Sequence, residues 1–185
     1  MLDTIAILER FFQDAALQLI IDHGRAVAGL AGAIGRALEL PGEDLDFIDE
    51  AAMLHDIGVC RVRAPEIGLH GEFPYIMHGI LGREILEAQG LPLHALVCER
   101  HIGVGLSVTD IICQELPLPH RAMLPISVAE EIICFADLFY SKSPGKLGQR
   151  KSVAHVRNKL VRFGNEKLQI FDTWHERFGA VLLSG

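Results

Sequence analysis

The 185-residue sequence has little with which to build a disulfide frame or a structural zinc knuckle. Its four cysteines, Cys60, Cys98, Cys113 and Cys134, stand far apart and form no CxxC pair. They read as small buried hydrophobes in a reducing compartment. No run approaches the roughly 20 apolar residues that a membrane-spanning helix needs. The first residues, MLDTIAILERFF, meet acids early and have no basic start followed by an apolar block, so a cytoplasmic protein is expected. Positive charge is in deficit, with 17 Lys and Arg against 24 Asp and Glu and a net charge of −7. That balance argues against general nucleic-acid binding, which relies on a basic surface to displace counterions. Internal repeats, charge blocks and a dividing linker are all missing. A single domain over 1–185 is therefore expected.

The sequence does carry a globular share of apolar residues, 50%, with 22% charged. It also carries nine histidines against one Trp and two Tyr. The apolar period is helical nearly throughout. Ile20, His23, Val27, Leu30, Ala31, Ile34 and Leu38 recur every three or four residues on one face. Pro41 and Gly42 end that segment. Asp44 is placed to cap a second helix, through Asp56, with Leu45, Ile48, Ala52 and His55 on one face. Gly58 is expected to stop it in the left-handed conformation.

Val59 to Pro74 reads as a long irregular loop, a feature often functional in compact domains. Further helices are expected from Tyr75 to Gln89, from Pro92 through His101, from Val108 to Glu115, from Ser127 to Tyr140, from Val153 to Phe163 and from Asn165 to Phe178. Leu116 to Pro125 and Ser141 to Gly148 read as loops. Ser127 and Glu130 have the spacing of a capping box. Trp174, Phe178 and Phe171 read as core. No segment alternates convincingly as a strand. The fold class is thus all-α, a bundle of about seven to nine helices.

Chemistry enters with the polar residues on apolar faces. His23, His55, His78 and His101 each fall on the buried side of a different helix, and Asp137 lies mid-helix among Ile133 and Ala136. A buried carboxylate is costly unless something positive pairs with it. No Lys or Arg lies in its own helix, whereas a metal cation would serve. A single such histidine is ordinarily a hydrogen-bonded core residue. Four of them with two aspartates make that explanation less economical. Their long spacings are not in themselves a metal motif.

At these residues the sequence resembles a known family. AAMLHDIG, at 51–58, resembles the core of the HD superfamily of metal-dependent phosphohydrolases, in the short stand-alone HDIG type. His23, His55, Asp56 and Asp137 match the family's pattern in order. His78, in MHGILGREIL, and His101, in CERHIGVG, match the two extra histidines of binuclear members. The resemblance covers roughly Ile20 to Tyr140, with C-terminal helices at about 150–180 packing on that core. It implies a first metal held by His23, His55, Asp56 and Asp137, and a second held by His78 and His101 with Asp56 bridging. One or two divalent ions among Fe, Mn, Zn, Co and Ni suit such ligands.

The activity so implied is hydrolysis of a small phosphate ester or nucleotide by a metal-activated water, with Asp56 and Lys142 as catalytic residues. Lys142 follows the last aspartate at the position of a phosphate contact. Arg100, Lys142 and His70 are the expected substrate contacts, with Arg61, Arg63 and Lys146 as further cations nearby. The other histidines, His94, His120, His155 and His175, have no motif support. Val59 replaces the Lys of many cyclic-dinucleotide phosphodiesterases, and their GYP segment is missing, which puts that activity in doubt. Oxygenases built on the same ligand set, and a non-catalytic metal-containing sensor, are the competing readings. The expected partner is a small phosphorylated molecule or nucleotide, with no membrane and with a monomer or homodimer.

Overall fold

The computed structural model describes residues 2–143 and 145–183. Nine α-helices lie among them: α1 (Thr4–Leu8), α2 (Asp14–Ala37), α3 (Gly42–Leu54), α4 (His78–Ala88), α5 (Pro92–Arg100), α6 (Val108–Cys113), α7 (Val128–Leu138), α8 (Val153–Leu160) and α9 (Asn165–Phe178). The all-α class holds. One exception is a two-stranded antiparallel ribbon, β1 (Arg63–Ala64) with β2 (Leu69–His70), inside the long loop. Each strand is two residues long, too short for alternation to show in sequence. The short α1 also escapes a periodicity reading. Asp3 caps it by accepting from the Ala6 amide at 3.0 Å, and Leu8 is fully buried.

α2 packs along α3, α4 along α5, and α7 crosses α2 and reaches α3, α5 and α9. The periodic face of α2 is buried from Ile20 to Ile34, while Leu38 at its end is exposed. On α5 the buried residues are Ala95, Val97 and Cys98, and Leu93 turns outward. The C-terminal helices close the same core. Phe135 and Phe139 of α7 meet Phe171 and Phe178 of α9 in one aromatic cluster, and Trp174 is buried beside them. Such aromatic pairs add about 1 kcal/mol each beyond the area they bury. Of the cysteines, Cys98 and Cys134 are buried as expected, but Cys113 is exposed.

Three local expectations are corrected. Asp44 does not cap α3, which starts at Gly42 behind Pro41 with no side-chain cap. Helix α3 ends at Leu54, with His55 as its C-cap, and Gly58 follows in a short 3-10 turn (Ile57–Arg61) with no left-handed backbone. Glycine is needed there for close approach. A Cβ at Gly58 would lie 2.0 Å from the His78 carbonyl oxygen and 2.3 Å from the Gly82 amide. The bare backbone lets this turn press onto α4.

At Ser127 only half a capping box forms. The Ser127 hydroxyl accepts from the Glu130 amide, but Glu130 accepts from the Ile126 amide and from Arg100. The reciprocal box is at Ser107 and Asp110, opening α6. Part of the Ser141–Gly148 loop, Pro144, lies outside the described residues.

Candidate metal centre

Six side chains predicted from sequence converge at one point. His23 comes from α2, His55 from the end of α3 and Asp56 from the residue after it. His78 opens α4, His101 closes α5 and Asp137 lies near the end of α7. All but Asp137 are buried, and its side chain is 19% exposed, so it forms the lip of the site.

Helix ends position three of the rings. His55 Nδ1 donates to the Ala52 carbonyl at 2.6 Å, His78 Nδ1 to Tyr75 at 2.6 Å and His101 Nδ1 to Cys98 at 2.8 Å. In each case the ring binds the carbonyl three residues back, at the end of α3 and of α5 for His55 and His101 and in the 3-10 turn before α4 for His78. A carbonyl can only accept, so each Nδ1 carries the proton. The Nε2 atom of each ring is then left facing inward.

Asp56 sits at the centre. Its Oδ2 lies 3.2 Å from His23 Nε2 and 3.1 Å from His55 Nε2. Its Oδ1 lies 3.5 Å from His78 Nε2 and 3.6 Å from His101 Nε2. The two oxygens of one carboxylate thus face two different histidine pairs. Asp137 Oδ1 completes the first side, 3.0 Å from His23 Nε2 and 3.6 Å from His55 Nε2. Two ligand triads of metal-binding size result, His23–His55–Asp137 and His55–Asp56–His101.

The electrostatics of the cluster favour a cation. His78 Nε2 and His101 Nε2 approach to 3.0 Å. Burial, reinforced by His101, pushes the His78 pKa down to about 3, so its ring is neutral near pH 7. With both Nδ1 atoms on backbone carbonyls, the two Nε2 atoms face each other at the cavity wall. His23 Nδ1, His55 Nε2 and Asp56 Oδ1 are buried without hydrogen-bond partners, an arrangement that is costly unless something satisfies them. Burial also works to lower the His55 pKa, but Asp56 and Asp137 outweigh it and hold it up at about 10. Burial opposes ionisation of Asp56 and Asp137 as well. Lys142 and His55 outweigh it at Asp56, the histidines His23 and His55 at Asp137, and both carboxyls stay well below the usual range. The donor set therefore fits one or more divalent ions.

Lys142 is drawn into the cluster. Its Nζ lies 2.5 Å from Asp56 Oδ2 and 3.3 Å from His23 Nε2. Burial works against the ammonium, yet the Asp56 and Asp137 carboxylates raise its pKa above the ordinary lysine value. Arg100 is engaged elsewhere, 2.9 Å from Glu130, where it braces α5 to α7. His70 is exposed on the ribbon and does not line the cavity beside the centre. Arg61 pairs with Glu84 at 3.1 Å.

That cavity encloses about 390 Å³ and is walled by Tyr75, His78, His101, Asp137 and three lysines, Lys142, Lys151 and Lys159. Sequence reading missed Tyr75, Lys151 and Lys159. Tyr75 stands three residues before His78, where its carbonyl fixes that ring, and its own ring lies 4.8 Å from it. Burial raises the Tyr75 pKa, so its phenol stays protonated. The lysines belong to a basic stretch after the last aspartate, whose weight only becomes evident once the fold turns it to the cavity mouth.

The family model described as HD domain matches residues 20–140, and the chain belongs to that family. The chain is 36% identical over 121 residues to an uncharacterized protein of Methanocaldococcus jannaschii, covering 64% of each. It is 29% identical over 120 residues to a tRNA (cytidine(56)-2'-O)-methyltransferase of Picrophilus torridus. That match covers 64% of this chain and 30% of the methyltransferase. The similarity thus spans less than two thirds of either relative. No solved structure matches the chain. Among the described residues no helix is long and apolar enough to cross a membrane.

Proposed function

We propose that the protein is a metal-dependent phosphohydrolase of the HD family, acting on a small phosphate ester or nucleotide. The observation that carries this reading is the position of Asp56. Its two oxygens face separate histidine pairs beside a cavity walled by three lysines. His23, His55, Asp56 and Asp137 would hold one ion, and His78 and His101 the other, with Asp56 shared. Two divalent ions, when bound there, would supply a water activated near neutral pH and Lewis acidity toward phosphoryl oxygens.

The chain does the rest. Three helix-end carbonyls fix the rings, so the donor atoms need no rearrangement when a ligand arrives. Lys142 sits between the centre and the cavity, where its ammonium can turn from Asp56 to a phosphoryl oxygen. Tyr75, protonated on the cavity wall, can donate a hydrogen bond to the same group or to the leaving oxygen. The acidic surface would otherwise repel such a substrate, and the local cations offset that field. The partners on this reading are a small phosphorylated molecule in solution, with neither nucleic acid nor membrane, and a monomer or homodimer.

The test is a phosphoester and nucleotide panel run on protein reconstituted separately with Fe, Mn, Zn, Co and Ni. Turnover that disappears in Asp56→Asn supports the reading. Fully metal-loaded protein that hydrolyses no member of the panel contradicts it.

A further inference from the structure

The basic residues are distributed very unevenly. Residues 138–165 hold seven of the 17 Lys and Arg and none of the 24 Asp and Glu. This stretch runs from the end of α7 into α8 and forms the outer wall of the metal cavity. A second cavity of about 420 Å³ opens beside the first and shares Ser141, Ser143, Lys151 and Lys159 with it. Its remaining wall includes Lys146, Gln149 and Arg150, together with the start of α8 at Ser152 and His155. No carboxylate lines it, whereas Glu66 and Asp137 line the inner cavity.

The four cations of the outer cavity differ in freedom. Lys151 is anchored. Its Nζ donates to the Leu138 carbonyl at 3.2 Å and to the Tyr140 carbonyl, and its backbone amide donates to Phe139 at 2.8 Å. It is the fixed partition between the two cavities. Lys146, Arg150 and Lys159 are exposed, and no carboxylate partner is found for them among the described residues; Arg150 donates one N–H to the Leu182 carbonyl at 3.0 Å and keeps its other donors. Arg61, Arg83, Arg100, Arg121, Arg157 and Arg177 are paired with acids, while among the described residues Arg10, Arg36, Arg63 and Arg162 show no such pair and line neither cavity. In a protein of net charge −7, the convergence of four cations on one concavity with no carboxylate among its described lining residues favours anions.

We propose that the outer cavity, formed by Lys146, Arg150, Lys151 and Lys159, is a second anion subsite. The ligand is a small molecule carrying two phosphate groups, one placed at the metal centre and the other across the Lys151 partition. The identity of the first position rests on the phosphohydrolase reading. The second rests on the basic wall alone. A charge-assisted contact to phosphate contributes enough to tighten binding by about tenfold.

The experiment is isothermal titration of the metal-loaded protein at low temperature with adenosine 3′,5′-bisphosphate and with the adenosine 3′- and 5′-monophosphates. Recovered ligand is checked for hydrolysis. The bisphosphate should bind about tenfold more tightly than either monophosphate. That ratio should fall toward unity in the double variant Lys146→Glu/Arg150→Glu. Arg36→Glu, a charge reversal on the exposed end of α2, should keep it. Circular dichroism confirms the fold of each variant.

Equal affinities for the three ligands would overturn the subsite, as would a ratio that survives the double variant or falls equally in Arg36→Glu. Hydrolysis of a monophosphate with equal affinities removes the subsite and keeps the phosphohydrolase. A charge-dependent ratio with no turnover of any ester keeps the subsite and removes the phosphohydrolase.

Discussion

His78 Nε2 and His101 Nε2 lie 3.0 Å apart while both rings spend their Nδ1 protons on backbone carbonyls, those of Tyr75 and Cys98. If neutral, two imidazoles so fixed present lone pair to lone pair. The contact is repulsive by itself and becomes favourable when a cation lies within reach of both. The same two rings face Asp56 Oδ1, which has no hydrogen-bond partner. A cation held by this pair would be distinct from one held near His23 and Asp137.

It follows that His101→Ala should remove one ion and spare the other. Plasma mass spectrometry of reconstituted protein should fall from about two transition ions per chain to about one, with helical content unchanged. Unaltered stoichiometry would argue that the His78–His101 pair is only core packing.

Lys142→Met isolates the role of the ammonium beside Asp56. On the proposed reaction it should lower kcat/KM for a phosphoester by about 100-fold, the scale of losing one transition-state donor. Metal content should stay at the wild-type level. A variant that loses its metals instead would make Lys142 a structural partner of the centre.

Gly58 is a steric prediction. Gly58→Ala places a Cβ against the His78 carbonyl and the Gly82 amide, backbone atoms that cannot swing away. Destabilisation of about 3 kcal/mol is expected, measured by urea denaturation. A change below about 0.5 kcal/mol would contradict the tight packing of the 3-10 turn on α4.

Much of this was legible in the sequence because helical periodicity reports burial. Each of His23, His55, His78 and His101 falls on an apolar face, and the order of ligands resembles the family pattern. What could not be read were the end effects. The histidine orientation depends on carbonyls three residues back, which follow from where α3 and α5 stop. Gly58 stands where a C-cap glycine would, yet its role is close approach across the fold. Lys151 reaches the cavity because the loop before α8 returns to the last carbonyls of α7, and Lys159 follows on α8; spacing along the chain does not encode that.

Lys167 and Asp110 supply a pH test away from the metals. Lys167 Nζ pairs with Asp110 Oδ2 and donates to the Gly105 carbonyl at 3.0 Å, tying α9 to the start of α6. Burial works to raise the Asp110 pKa, but Lys167 and the Ser107 amide and hydroxyl outweigh it and hold it low. A depressed carboxyl stabilises the fold above its unfolded pKa of about 3.9, and that contribution is lost as pH falls through the lower folded value. Lys167→Met, which strands the buried carboxylate, should cost about 3 kcal/mol at pH 7. The difference between variant and wild type should shrink below about pH 4, as urea midpoints across pH would show. A pH-independent difference would assign the loss to packing alone.

The central claim is that the six-residue cluster is a metal centre. Anomalous diffraction at the absorption edge of the metal found in the purified protein tests it most directly. One peak is expected between His23, His55, Asp56 and Asp137 and a second between Asp56, His78 and His101. A map of reconstituted crystals with no anomalous peak among these nitrogen and oxygen atoms would contradict it.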